Sequence, residues 1–170
     1  APLRPTLIAA LTNAGDPRVL PEARRLFDAW QTDPDAIPGS LKTTWLSLIA
    51  QNATAETWEK LRQKASQTTG VTERTTVYEL LGTTNDPKLA DKALELALTD
   101  EPGKTVSAGI ISAVAGKHSN KAFDFSIAHL AEVTELIDIA SRTRYFSTLA
   151  QQSDDPAVIA KLERFAAANV

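Results

Sequence analysis

The residues of this chain that could do chemistry are few and far apart. Its two histidines, His118 and His129, lie eleven residues apart, and no His-Glu-x-x-His sequence places two imidazoles on one helix face. The adjacent carboxylates Asp154 and Asp155 precede a proline, which indicates a turn and a helix cap rather than acid–base catalysis. The chain has no cysteine, so a thiolate nucleophile and a thiolate zinc site are excluded. The sequence therefore predicts no catalytic residue and no metal ligand in this chain.

Composition and charge exclude further classes of function. The net charge of −3 is unlike the basic face of a nucleic-acid-binding domain, so no nucleic acid is expected as a partner. No apolar run approaches the roughly 20 residues of a membrane span, so no membrane partner is expected either. The sequence also lacks a Gly-x-Ser-x-Gly elbow and a glycine-rich phosphate loop.

Cationic side chains remain as candidates for recognising a ligand. Arg24 is followed by a second arginine, and Arg142 and Arg144 stand two positions apart. A guanidinium group can bind a carboxylate through two parallel hydrogen bonds. The same residues also fit a solvated helix face with local acidic partners such as Glu22 and Asp28. The sequence leaves both interpretations open.

A repeated Asp-Pro pair orders the elements that must position these side chains. Asp16-Pro17, Asp86-Pro87 and Asp155-Pro156 lie 70 and 69 residues apart, and weaker helix starts at Asn52 and Ser119 lie between them. An aspartate caps the free amides of a first helical turn, and a proline fits the first helical position. A period near half that interval is typical of stacked helical repeats.

Apolar residues recur at helical spacing along the whole chain, while strand-like alternation is nearly absent. Thr54 is a predicted N-cap, Gly82 and Gly116 are predicted helix ends, and the three tryptophans fall at core positions. The pattern predicts about ten helices in five pairs, over residues 6–13, 17–30, 40–51, 54–64, 72–82, 88–98, 105–115, 120–131, 136–150 and 157–168.

This organisation suits two repeat types. The tetratricopeptide array has the right period, but its Trp-x-x-Leu-Gly start is missing, so the looser HEAT type is favoured. We therefore expect an all-α fold, a right-handed α–α superhelix of about five HEAT- or armadillo-like pairs. Residues 1–170 are expected to form a single domain.

Several motifs, taken in order, resemble one family. Together they are similar to the C-terminal helical domain of zinc aminopeptidases of the aminopeptidase N family, above all the endoplasmic-reticulum and puromycin-sensitive enzymes. Phe123 stands where that family usually has tryptophan. The motifs are Gly15-Asp16-Pro17 with Glu22-Ala23-Arg24-Arg25-Leu26-Phe27, then Thr54 with Trp58 and Leu61, then Leu80-Leu81-Gly82 with Asp86-Pro87, and Asn120-Lys121-Ala122-Phe123-Asp124-Phe125.

The resemblance implies a non-catalytic role. In that family the zinc ligands lie in an earlier domain, so we expect no cofactor in this chain and zinc in the catalytic domain of the parent. The helical domain is expected to cover the active site, enclose a peptide chamber and gate its entry. The chain does not begin with methionine, which favours the C-terminal part of a longer protein. Its expected partners are the catalytic domain of the same polypeptide and peptide substrates.

Six cations are the candidates for contacting a peptide. Those on second helices of a pair are expected to face the chamber and attract a peptide carboxylate. The six are Arg24, Arg62, Lys92, Lys121, Arg142 and Arg144. The alternative function is a freestanding helical-repeat scaffold that binds a protein or peptide partner. The sequence assigns neither a compartment nor a peptide preference.

Overall fold

The computed structural model describes residues 3–169, apart from the side chains of Thr143 and Asn169. Within that range it contains ten helices and no strand, which confirms the all-α superhelical class. The helices are α1 (Leu3–Asn13), α2 (Val19–Trp30), α3 (Gly39–Gln51), α4 (Ala55–Gln67), α5 (Val71–Leu81), α6 (Pro87–Ala97), α7 (Lys104–Ala128), α8 (Leu130–Leu136), α9 (Arg142–Ala150) and α10 (Ala157–Asn169). The number of pairs and the hand of the superhelix stay predictions.

The helices form two layers. The first layer consists of α1, α3, α5, the first half of α7 (residues 104–117) and α9, which pack on one another in succession. The second layer consists of α2, α4, α6, the second half of α7 (residues 119–128) and α10, which pack against the first layer. A hydrogen bond from Tyr145 Oη on α9 to the Ala108 carbonyl oxygen, 2.7 Å long, ties the end of the first layer together.

The core lies between these layers. Trp30 and Trp58 are buried as predicted, while Trp45 is half-buried against the core. The indole Nε1 of Trp58 donates to the Leu81 carbonyl oxygen at 3.1 Å, so its polar atom is satisfied inside the core. Helix α6 packs against α7 and buries six of its eleven residues, namely Leu89, Ala90, Ala93, Leu94, Leu96 and Ala97.

The predicted caps are present at the helix starts. The carboxylates of Asp16, Asp86 and Asp155 each accept a backbone N–H two residues further on, at 2.9, 2.8 and 2.9 Å. Thr54 Oγ1 accepts the Thr57 N–H at 3.2 Å, as expected of an N-cap. Only α6 begins at the proline itself; α2 begins two residues later, at Val19.

The helix break predicted after Gly116 is present, two residues further along the chain. Helix α7 continues through this glycine and bends at His118, whose φ of −132° and ψ of 56° are the non-helical values inside it. Two contacts with other pairs hold the bend. His118 Nε2 lies 2.9 Å from the Thr84 carbonyl oxygen, and Ser119 Oγ donates to the Leu149 carbonyl oxygen at 2.6 Å. The predicted break and restart are therefore present as a kink between residues 104–117 and 119–128, which contacts from outside this helix stabilise.

The predicted helices over 120–131 and 136–150 are wrong in their bounds. The first ends at Ala128, and the short helix α8 follows it directly. The second begins only at Arg142, because Ile137 is extended and Asp138 accepts the Ser141 N–H at 3.1 Å. An aspartate that bonds its own nearby backbone favours a turn over a helix.

Candidate functional site

Ion pairs join consecutive helices of the second layer. Lys121 Nζ on α7 lies 2.5 Å from Asp91 Oδ1 on α6, and Lys161 Nζ on α10 lies 2.7 Å from Asp124 Oδ2 on α7. In both pairs the later helix supplies the lysine and the earlier one the aspartate. All four side chains are partly exposed, so each pair contributes about 1 kcal/mol at most. The pairs link neighbouring second-layer helices at their exposed surface.

A larger polar cluster anchors the loop after α6. Arg62 donates from Nε and Nη2 to the two carboxylate oxygens of Glu101, at 3.0 and 2.6 Å, and Tyr78 Oη donates to the same carboxylate at 3.1 Å. Arg74 donates to the backbone carbonyls of Glu101 and Pro102, at 2.6 and 3.1 Å. The hydrogen bonds from Arg62 lower the pKa of Glu101, while burial raises the pKa of Tyr78. The cluster joins α4 and α5 to this loop.

The four second-layer candidates differ in what they contact. Arg24 on α2 and Lys92 on α6 are exposed, and neither forms an ion pair within residues 3–169. Arg62 is held by Glu101, and Lys121 is held by Asp91. Two of the four cations therefore already have a carboxylate partner inside the domain.

The other two candidates lie in the first layer, on α9. Arg142 Nε donates to the Ile137 carbonyl oxygen at 3.2 Å, while Arg144 is exposed. The structure thus separates the six cations between two layers and does not gather them into one site.

Two open surface cavities could not be predicted from the sequence. One, of about 540 Å³, lies at the turns around His118 and Ser153. Its lining is polar, carries both positive and negative side chains, and consists of residues 117–121 and 152–155. The other, of about 500 Å³, is an apolar groove between α7 and α10, with Phe123 and Phe165 in its walls. Each is built from segments more than thirty residues apart, which a pattern within one helix does not bring together.

The histidines have local partners. His118 contacts the Thr84 carbonyl oxygen, and His129 Nδ1 lies 3.7 Å from Glu132 with its ring beside Phe125. Among the residues that the structure describes, no group of three or more His, Cys, Asp or Glu side chains could hold a metal ion. None of the described helices is long and apolar enough to cross a membrane.

Comparison with known proteins identifies the family. No curated protein matches the chain. The model of the ERAP1-like C-terminal domain, in contrast, matches residues 1–170, the whole length of the sequence. The two-layered helical array agrees with the resemblance found in the motifs. The chain belongs to the family of ERAP1-like C-terminal domains, which are the C-terminal domains of aminopeptidase N family enzymes.

Proposed function

We propose that this chain encloses the substrate chamber of a zinc-dependent aminopeptidase and gates the entry of peptides to it. Family membership over residues 1–170 is the observation that carries this proposal, because it indicates a non-catalytic domain of an aminopeptidase. The catalytic domain, with its zinc ion, is expected in the same polypeptide. Closure of a helical domain over an active site is a known way to control access of a substrate.

The exposed second-layer cations supply a physical basis for peptide recognition. Arg24 and Lys92 have no acidic partner among the described residues, so their charge is available to a ligand. A peptide C-terminal carboxylate is the complementary group. Both side chains are solvated, so their attraction acts over roughly one Debye length, about 8 Å at physiological salt. The contribution to peptide capture should therefore fall as salt is added.

The test compares variants of the parent enzyme on matched peptides. We expect Arg24→Ala combined with Lys92→Ala to lower kcat/KM for peptides with a free C-terminus about two- to five-fold at low salt, which corresponds to about 0.5–1 kcal/mol. Peptides with an amidated C-terminus should be affected less. High salt should remove most of the difference.

Arg144→Ala is the matched control, because Arg144 is also exposed but lies in the first layer. An effect of Arg144→Ala alone would assign the chamber face to the first layer and reject Arg24 and Lys92 as peptide contacts.

The chamber role itself has a separate test. Zinc content and aminopeptidase activity are measured for this chain and for its parent side by side. Zinc and activity in the parent only would support the proposal, and a zinc-free, inactive parent would favour the freestanding scaffold. An active parent whose discrimination by peptide length survives removal of this domain would refute the chamber role.

A further inference from the structure

The outer sides of the two layers differ in charge. No charged side chain of α3 or α5 is exposed, and in the first half of α7 only the end residues Lys104 and Lys117 are. The outer side of the second layer is densely charged. Its exposed charged residues on α2, α4 and α6 are Arg24, Arg25, Asp28, Glu56, Lys60, Lys88, Asp91, Lys92 and Glu95. Charged side chains are those that proteins most often turn to water, so the first layer lacks a typical solvated surface.

The outer side of the first layer is one stripe that is repeated on four helices. Residues spaced by three and four positions share one side of a helix. At this spacing α3, α5, α7 and α9 carry residues of which none is buried and most have a hydroxyl group. We call them the hydroxyl face. They are Ser40, Thr43, Thr44, Ser47 and Gln51 on α3, Thr72, Thr75, Thr76 and Glu79 on α5, Thr105, Ala108, Gly109, Ser112 and Gly116 on α7, and Arg144, Ser147 and Thr148 on α9.

Several of these hydroxyl groups already have an acceptor within their own helix. Thr76 Oγ1 and Ser112 Oγ each donate to the carbonyl oxygen four residues earlier, at 2.9 and 3.0 Å. Ser147 and Thr148 both donate to the Arg144 carbonyl oxygen, at 2.9 and 2.8 Å. Burial of such a hydroxyl costs little, because its hydrogen bond is kept when water leaves. Another surface can therefore cover the hydroxyl face without leaving these polar groups unsatisfied.

Two members of the hydroxyl face are charged, Glu79 and Arg144. Neither forms an ion pair within the described residues. They lie on either side of α7, which packs against both α5 and α9. A Cβ atom at Gly109 would overlap Glu79 Oε1. Tyr145, next to Arg144, donates its hydroxyl to the carbonyl oxygen of Ala108. The two charges therefore lie near the same level along α7.

We propose that two copies of the polypeptide pair through the hydroxyl face, with Glu79 of each copy bonded to Arg144 of the other. In a symmetric pair the same patch of both copies forms the interface. A two-fold axis that runs along α7, between the copies, places α5 of one copy opposite α9 of the other. The acidic residue of the face then meets the basic one, at two equivalent contacts. The rest of the face is neutral and gives no repulsion between the copies.

The area of the hydroxyl face suits a weak, reversible dimer. Neighbouring helix axes lie about 8–10 Å apart and a row is up to about 16 Å long, so four rows cover roughly 600 Å². Specific interfaces begin near about 1,200 Å² for both partners together, or about 600 Å² per copy. Depletion of charged residues is also what distinguishes the core of an interface from other surface. The face lies along the array rather than at either end of it, and the pairing does not depend on the proposed chamber role.

Molar mass from light scattering tests the pairing, for this chain and for its parent, over about 1–100 µM protein. We expect a reversible dimer with a Kd of roughly 10 µM. Glu79→Arg and Arg144→Glu each place like charges together at both contacts, and each should raise the Kd at least tenfold. Arg164→Glu is the matched control, because Arg164 is an exposed arginine of the second layer, and it should leave the Kd unchanged.

A mixture of the two variants distinguishes this pairing from any other. When a Glu79→Arg chain meets an Arg144→Glu chain, opposite charges face each other at both contacts, so an equimolar mixture should regain the dimer. A mixture that stays monomeric would overturn the proposal, as would a dimer that neither charge reversal weakens. A wild type that is monomeric at about 100 µM, as chain and as parent, would overturn it too. A monomeric parent whose kcat/KM changes with Glu79→Arg would assign the hydroxyl face to the chamber instead. Molar mass does not read activity, so failure of the pairing is distinguishable from failure of the chamber role.

Discussion

Removal of the Glu101 carboxylate is the sharpest test of how the array is held together. Glu101→Ala takes away the acceptor of two hydrogen bonds from Arg62 and of one from Tyr78. The bonds from Arg74 go to backbone carbonyls and are kept. The substitution therefore releases the loop after α6 from α4 and from the Tyr78 hydroxyl on α5, while leaving the anchor to Arg74 in place.

The expected loss of unfolding free energy follows from the solvent exposure of the side chains involved. The side chains of Arg62 and Glu101 are 36 and 28% exposed, so solvent screening limits their pair to about 1 kcal/mol. The Tyr78 hydroxyl loses its acceptor, which costs about 1 kcal/mol more. The free energy of unfolding should fall by about 1.5–2 kcal/mol, and Tm by about 4–6 °C for a chain of this length.

Urea unfolding followed by circular dichroism measures this loss. Glu59→Ala is the control, because Glu59 contacts the same Arg62 only at 3.5 Å and should cost under about 0.5 kcal/mol. Glu101→Gln keeps an acceptor for Tyr78 and should cost about half as much as Glu101→Ala. A loss from Glu101→Ala no greater than that from Glu59→Ala would refute the reasoning.

The pH dependence gives an independent check on the same residue. The pKa of Glu101 is lowered in the folded state, chiefly by hydrogen bonds from Arg62. The ionised Glu101 side chain therefore makes its full contribution to the free energy of unfolding above the pKa that it has in the unfolded chain, about 4.3. This contribution is lost as the pH falls through the lower pKa of the folded state. The difference in unfolding free energy between the wild type and Glu101→Gln should shrink below about pH 4. A constant difference down to pH 2 would contradict the assignment.

Two further predictions concern the contact between α5 and α7. A methyl group at Gly82 would lie 2.6 Å from the Ile110 carbonyl oxygen, so Gly82→Ala should destabilise the fold by roughly 1–3 kcal/mol in urea unfolding. The control is Gly116→Ala, inside α7, where a methyl group meets open space; it should instead stabilise the fold by about 0.5–1 kcal/mol. If both substitutions changed the free energy of unfolding in the same direction, the prediction would be wrong. Burial raises the pKa of Glu79, so Glu79→Gln should be more stable than the wild type at pH 7 and equal to it below about pH 4. Unfolding at both pH values checks this, and a variant less stable at pH 7 would contradict it.

Features set within one helical turn could be predicted from the sequence. Asp86 and Thr54 cap amides two and three residues away, so a short motif contains both partners. The apolar face of α6 is equally local, because side chains three and four residues apart share a face.

Features that depend on contacts with other helix pairs could not be predicted in this way. The bend at His118 depends on the Thr84 carbonyl, 34 residues away, and on the bond from Ser119 to Leu149, 30 residues away. Nothing in the local pattern distinguishes such a bend from two separate helices. The sequence therefore predicts a break after Gly116, which the structure has two residues later, but it predicts neither of the contacts that stabilise this break.

The candidate cations illustrate the same limit for function. Lys92 and Lys121 are both lysines of second-layer helices, and the sequence gives no reason to prefer either. In the structure Lys121 reaches back to Asp91, the residue next to Lys92, because successive second-layer helices lie side by side. Stacking thus neutralises one lysine and leaves the other exposed. Ligand recognition by this layer should depend on the cations that stacking leaves without an acidic partner, and among the four second-layer candidates in the described residues these are Arg24 and Lys92.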